Sequence, residues 1–274
     1  MKKLLLLLMF SLFLLIPKIS LAQEADTSIS DYASSYKQYV NSYDVYQKAL
    51  SDYRLARAQY IQAGTLVSQT KAREETLAML QARDTVVITY LTAIQMKVDE
   101  SEGIPETFKN GLVQRISAES FWFGDHLARL DSAGTLEDLV ADSDEASKRF
   151  EDTQKVIYES LSAITNAKTT VLRNELNNIV SSTREKSFEI RSNGDLDIST
   201  IDRWFTEIDN KLTRSLDKSI ESETKSQDFY NSKKSNDLST LYNGILASLE
   251  ESVQLLRDGS KYTREIIKVF TGES

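Results

Sequence analysis

A chain of 274 residues without cysteine is large enough to bury a core of its own and must hold it without disulfides. With one histidine it also lacks the several His or Cys ligands of a zinc site, and the Glu-x-x-His repeat of a di-iron bundle is absent. A formal net charge of −8 at pH 7 sets the chain against nucleic acid and anionic lipid. Two prolines and nine glycines, scattered among many helix formers, point to helix almost throughout.

Residues 1–22 read as a secretory signal peptide. Lys2 and Lys3 lead an apolar core from Leu4 to Ile16, Pro17 breaks it, and Ser20-Leu21-Ala22 offers small residues before Gln23. That core is shorter than the roughly 20 residues of a membrane span, so cleavage is expected, with a retained anchor as the alternative. Without the three leader lysines, 30 basic side chains face 41 acidic ones. No second long apolar run follows, and no stable membrane insertion is expected after signal cleavage.

Ser30 or Asp31 caps a first helix that ends at Gly64. Its tyrosines at 32, 36, 39, 43, 46, 53 and 60, with Leu50 in one gap, follow a heptad seam. A second helix, Thr65 to Glu100, carries Leu77, Leu80, Val87, Leu91, Ile94 and Val98 on one stripe, with Asp84 as a polar intruder. The β-branched run from Val86 to Ile94 stays helical in this reading, because its flanks keep helical period. Pro105 opens a third helix with Phe108, Leu112, Ile116, Phe123, Leu127 and Leu130, and Phe121-Trp122-Phe123 widens its apolar arc.

After Gly134, Thr135/Asp138 and Asp142/Glu145 both have the spacing of capping boxes. The pattern therefore predicts a short helix from Leu136 to about Ala141 and a long one from about Ser143 to Ile190. The long stripe passes through Phe150, Ile157, Leu161, Ile164, Val171, Leu172, Leu176, Ile179 and Ile190. A loop from Arg191 to Ile198 leads to a helix capped by Ser199 and Asp202, with the stripe Phe205, Ile208, Leu212, Leu216 and Ile220. The polar stretch from Glu221 to Asp237 reads as a hinge or frayed turn. A last helix carries Leu238, Leu241, Ile245, Leu249, Leu256, Ile266 and Phe270, with a kink expected at Gly259.

The fold class is all-α, an elongated antiparallel long-helix bundle with coiled-coil-like packing. Residues 23–274 are expected to form a single bundle, with a sub-boundary near Gly134 that separates 29–133 from 135–272. The phrase Leu130-Asp131-Ser132-Ala133-Gly134-Thr135-Leu136-Glu137-Asp138-Leu139, within Phe121 to Phe150, resembles uncharacterised exported helical-bundle proteins. The resemblance covers about thirty residues, agrees with a helical fold and implies no activity.

No cofactor motif is present. His126 lies beside Asp125 and one turn from Trp122, and reads as a partly buried helix residue rather than a catalytic one. The loop before the fifth long helix resembles an EF-hand through Asn193, Asp195, Asp197, Ser199 and Asp202. Arg191 takes the place of its first acidic ligand and Leu196 that of its turn glycine, so calcium is not expected there. The acidic run Glu137, Asp138, Asp142, Asp144 and Glu145 is assigned to helix starts, with a cation or a basic partner as the lesser reading.

Tyr32, Tyr36, Tyr39, Tyr43, Tyr46, Tyr53 and Tyr60 are either the inner face of the bundle, a protein interface, or a stacking platform for sugar rings of an envelope polymer. The expectation is an exported, non-enzymatic protein, periplasmic or extracellular, with a structural or partner-binding role at the cell envelope. A protein partner or self-association is expected, and nucleic acid is not. A membrane-inserting helical toxin and an envelope polysaccharide-binding protein are the alternatives.

Overall fold

The computed structural model describes residues 31–192, 199–232 and 235–271. Six helices follow in chain order: α1 Tyr32–Ala63, α2 Leu66–Glu100, α3 Glu106–Leu130, α4 Leu136–Ser192, α5 Ser199–Gln227 and α6 Ser235–Thr271. The architecture is all-α, with consecutive helices packed antiparallel and no strand among the described residues. Val86 to Ile94 lies within α2, so its β-branched content yields to helical burial on several sides.

The first hairpin forms from its caps inward. Asp31 accepts the amide of Ser34 at 2.7 Å, and Gly64 ends α1 at φ 61°, where a side chain would be strained. Thr65 and Ser68 then close a capping box on α2. The pairing of Tyr32 with Glu100 and of Ser42 with Thr89 fixes an antiparallel register. Between α2 and α3, Gly103 has φ 82°, and a Cβ there would meet the carbonyl oxygen of Ala167 at 2.8 Å. Glycine is thus required twice over, by conformation and by the closeness of α4.

The predicted break in the fourth helix does not exist. Thr135 and Asp138 do form a capping box, with bonds of 2.9 and 3.1 Å. The chain then runs unbroken for 57 residues, roughly 85 Å at 1.5 Å per residue. Asp142 and Glu145, spaced like a second box, stand instead on the surface of a continuing helix. The first half of α4 packs Val156, Ile157, Ile164 and Ala167 with Val87, Leu91, Ile94 and Val98 of α2 and Leu112, Ile116 and Phe123 of α3. Its second half packs Leu176 and Val180 with Ile201, Phe205 and Ile208 of α5 and Leu256 and Ile266 of α6.

Three expected stripes need correction. Phe121 is exposed, so the wide apolar arc of α3 buries Phe123 and half-buries Trp122 only. On α4, Leu172 and Ile179 face outward. On α5 the stripe holds as far as Ile208 and then turns: Leu216 and Ile220 are exposed while Ser215, Ser219 and Ser222 are buried. The expected hinge narrows to the turn at 228–232, and Phe229, inside it, is completely buried against Tyr158. α6 continues as helix through Gly259, where a Cβ would press on Leu176 at 3.2 Å.

Candidate functional site

Two residues that stand out separately in the sequence meet in the core. Asp84 of α2 and His126 of α3 are 0 % and 1 % exposed, and Oδ2 of Asp84 lies 2.5 Å from Nδ1 of His126. Trp122 stacks on the imidazole at 5.1 Å, with the rings 12° apart. Arg83 donates through Nε to the other oxygen of Asp84 at 3.1 Å. The remaining ring nitrogen, Nε2, faces the main-chain oxygen of Asp142 on α4 at 3.2 Å. Asp84 is therefore no intruder: it gives the buried imidazole a hydrogen-bond partner, and leaving one of two such buried groups unsatisfied costs about 1–3 kcal/mol.

The seam between α3 and α4 continues this polar ladder. Arg149 makes a bidentate pair with Glu119 at 2.7 and 2.8 Å, and Thr153 donates to the same carboxylate at 2.7 Å. One step along, Glu159 accepts from Arg115 at 2.9 Å and from the hydroxyl of Tyr230 at 2.5 Å. Burial and this carboxylate push the Tyr230 hydroxyl well above its usual range. As chemistry, the His–Asp pair has no hydroxyl nucleophile bonded to Nε2 among the described residues. The group opposite that nitrogen is a carbonyl oxygen, which cannot be activated for attack.

Beside this pair, His126, Asp142 and Glu145 each bring one possible ligand atom, an imidazole nitrogen or a carboxylate oxygen, within 4.8 Å of the other two. Asp142 is half-buried and Glu145 exposed. Arg129 reaches Glu145 at 3.4 Å in a solvent-exposed pair. By contrast, Asp138 is engaged as a cap, and its bonds from Thr135 hold its carboxyl below the usual range.

The tyrosine seam lies on α2, the one helix in contact with α1 among the described residues. Tyr39 is 3 % exposed, and its ring meets Tyr90 of α2 at 4.8 Å. Tyr32, Tyr36, Tyr43, Tyr46, Tyr53 and Tyr60 are half-buried. From Tyr32 to Tyr46 successive rings are 5.7 to 6.5 Å apart, and the Lys97 ammonium sits over Tyr32. Burial pushes the Tyr39 hydroxyl up to about 12, with Tyr43 and Tyr36 adding to the shift. Tyr90 is raised well above its usual value by burial and then by Tyr39, Tyr242 and Tyr158. Tyr158 and Tyr242, 5.0 Å apart, are each pushed up to about 12 by burial.

On the far half of α4, Arg173 is buried, and among the described residues no carboxylate lies at hydrogen-bond distance from it. It donates to Ser219 Oγ at 2.9 Å and to Thr170 Oγ1 at 3.0 Å, and desolvation lowers its pKa. An open groove of about 570 Å³ lies between α4 and α6, lined by Ile179, Ile190, Ile267 and Phe270. Of the EF-hand-like set, Asn193, Asp195 and Asp197 lie outside the described residues. Ser199 and Asp202 stand in the first turn of α5. Residues 1–22, read as a signal peptide, also lie outside the described residues.

The tip of the first hairpin drew no attention as sequence. Ala56 and Ala72 are buried, and nothing from 57 to 71 is. Leu55, Ile61, Leu66 and Val67 are exposed there, the last two at 78 % and 80 %. Arg54, Arg57, Lys71 and Arg73 flank them in sequence, Lys71 pairing with Glu75 and Arg73 donating to the main-chain oxygen of Ala133, and no acidic residue occurs between Asp52 and Glu74. The signal was available as a gap in the acidic residues, which the total charge conceals.

Among the described residues no helix is long and apolar enough to cross a membrane. Comparison of the chain with protein-family models, curated proteins and solved structures finds no match in any of the three.

Proposed function

We propose that the protein is an exported, non-enzymatic helical scaffold that binds a protein partner at the cell envelope through the tip of the α1–α2 hairpin. The observation that carries this reading is the exposure of Leu66 and Val67 together with Ile61 on a basic prong of an otherwise acidic chain. Apolar side chains left in water at the end of a two-helix projection gain by burial against another surface, at about 25 cal/mol per Å². The basic stretch, with Arg54 and Arg57 on the exposed face of α1, favours an acidic rim on that partner and speeds encounter. The tyrosine rings, packed on α2, are less available as a stacking platform, so the tip is preferred over the seam as the docking surface.

The test is photo-crosslinking in the native envelope from probes at Ile61, Leu66 and Val67, with probes at Phe121 and Phe188 as exposed controls. One discrete adduct from the tip positions alone, lost in Leu66→Glu/Val67→Glu, is expected. Equal labelling from the control positions, or none from the tip, rejects the reading. Flotation with anionic vesicles provides the counter-test, since vesicle binding without a protein adduct points to lipid instead.

A further inference from the structure

We propose that His126, Asp142 and Glu145 form a binding site for a divalent first-row transition-metal ion, with Asp84 orienting the imidazole. The site is separate from the hairpin tip and does not depend on the docking reading.

The imidazole is held on two sides. Asp84 takes Nδ1, and Trp122 covers a ring face. This leaves Nε2 as the nitrogen turned towards α4. A ligating histidine commonly gives its other ring nitrogen to a carboxylate, which fixes the tautomer and strengthens the ligand. Nε2 and the carbonyl oxygen of Asp142 are 3.2 Å apart. Where Nε2 carries the hydrogen it donates to that oxygen, and a metal ion at Nε2 takes the place of this bond.

Asp142 and Glu145 are three residues apart on an uninterrupted helix, hence on one face. Neither serves as a cap. The Asp142 carboxylate makes no hydrogen bond or ion pair among the described residues, although it is half-buried beside the ring. Among the described residues Glu145 is held by Arg129, in an exposed pair of the kind that contributes little. Ligand atoms bound at about 2.0–2.2 Å from a small ion sit roughly 3–4 Å from one another. The three atoms here lie within 4.8 Å, so about 1 Å of side-chain movement closes the set.

The several His or Cys ligands of a structural zinc site are absent, so this is an oxygen-rich site; one imidazole and two carboxylates, with water in the remaining positions, suit ions such as Zn²⁺, Co²⁺ or Mn²⁺ better than Ca²⁺, which takes an all-oxygen shell. Two cations oppose the site. Arg83 is occupied by Asp84 and, at 3.4 Å, by Ser143. Arg129 competes for Glu145 directly, so its removal should help the metal.

Because His126 is the single histidine, its imidazole C–H signals report the site without ambiguity. The purified protein, made without a histidine tag and treated with chelator, is titrated with Co²⁺ and with Zn²⁺. One equivalent of Co²⁺ is expected to shift or broaden those signals, and Zn²⁺ to raise the melting temperature by mass action. Asp142→Asn and Glu145→Gln, both outside the core, should fold normally and bind about tenfold or more weakly. Asp84→Asn should lose about 10–100-fold, the usual cost of removing an orienting partner. Arg129→Ala should bind more tightly. Imidazole signals that ignore millimolar Co²⁺, unchanged affinity in both carboxylate variants, or Mg²⁺ binding as tightly as Zn²⁺ would overturn the assignment.

Discussion

The α1–α2 hairpin and the α5–α6 hairpin solve the same packing problem with side chains from opposite ends of the size range. In the first, rings fill the seam: Tyr39 against Tyr90, and Tyr46 and Tyr53 against Leu50, Met79 and Leu80. In the second, Ser215 and Ser252 are buried, and the Ser252 hydroxyl donates to the main-chain oxygen of Ser215 at 2.8 Å. A hydroxyl on so short a stem reaches the facing backbone only if the two helices come close. Tyrosine therefore sets a wide seam through ring volume, and serine a narrow one through lack of it. Both seams are polar by residue type, yet both are interior. What decides burial is whether each polar atom finds a partner, more than the residue's rank on a hydropathy scale.

The largest test of this contrast is Tyr39→Ala. It removes the most buried ring of the first seam and should cost about 3–5 kcal/mol in a denaturant melt, as other buried aromatic truncations do. A loss below about 1 kcal/mol would mean that α1 is held by something other than its rings.

Alkali comes next. Tyr39, Tyr158 and Tyr242 are pushed up to about 12 in the folded protein, against 10 for a free tyrosine. The folded state keeps these protons longer, so their contribution is whole below pH 10 and disappears as pH rises towards 12. The loss is on the order of 2 kcal/mol per ring. Melts between pH 9 and 12 should show it, with absorbance of tyrosinate rising together with loss of helix. Tyr39→Phe should flatten the drop.

On the serine side the sensitive change is enlargement. Ser252→Leu forces a branched chain into the narrow seam and should cost about 1–3 kcal/mol, although it adds apolar surface. A stabilised Ser252→Leu protein would show that the seam has room to spare, and the contrast with α1–α2 would fail.

The smallest effect is expected at the rim of the same hairpin. Lys225 and Lys218 hold the carboxyl of Glu221 down to about 2. The folded state prefers the charged form, so this contribution is present above the ordinary carboxylate value and is lost as pH falls towards 2. The group is almost fully solvated. Glu221→Gln should therefore change stability at pH 7 by less than about 0.5 kcal/mol, and salt should reduce even that.

These two seams also show which parts of the fold could be read directly. The tyrosine heptads and the α2 stripe were legible because large side chains at 3.5-residue spacing mark a buried face on their own. Leu216 and Ile220 drew the α5 stripe to the wrong side, since a pattern of apolar residues gives no weight to Ser215, Ser219 and Ser222. Asp142/Glu145 suggested a helix start because a cap and an ordinary surface pair share one spacing. At the proposed metal site, Asp84 and His126 were both visible as oddities. They lie 42 positions apart, and only the packing of α2 on α3 shows that each explains the other. The hairpin tip was missed for the opposite reason: its residues are unremarkable one by one and unusual only in being left uncovered.

The unbroken length of α4 sets how the fold finds its register. A helix slipped by one residue rotates its faces by about 100°. On α4 such a slip would displace Ile157 and Ile164 from the α2–α3 core and Leu176 and Val180 from the α5–α6 core in a single movement. Neither end can therefore settle into a shifted pairing while the other is correct. Each end proofreads the other, and a helix break engineered near Thr169 should release them to err independently, visible as multiple conformers in one half with the other half intact.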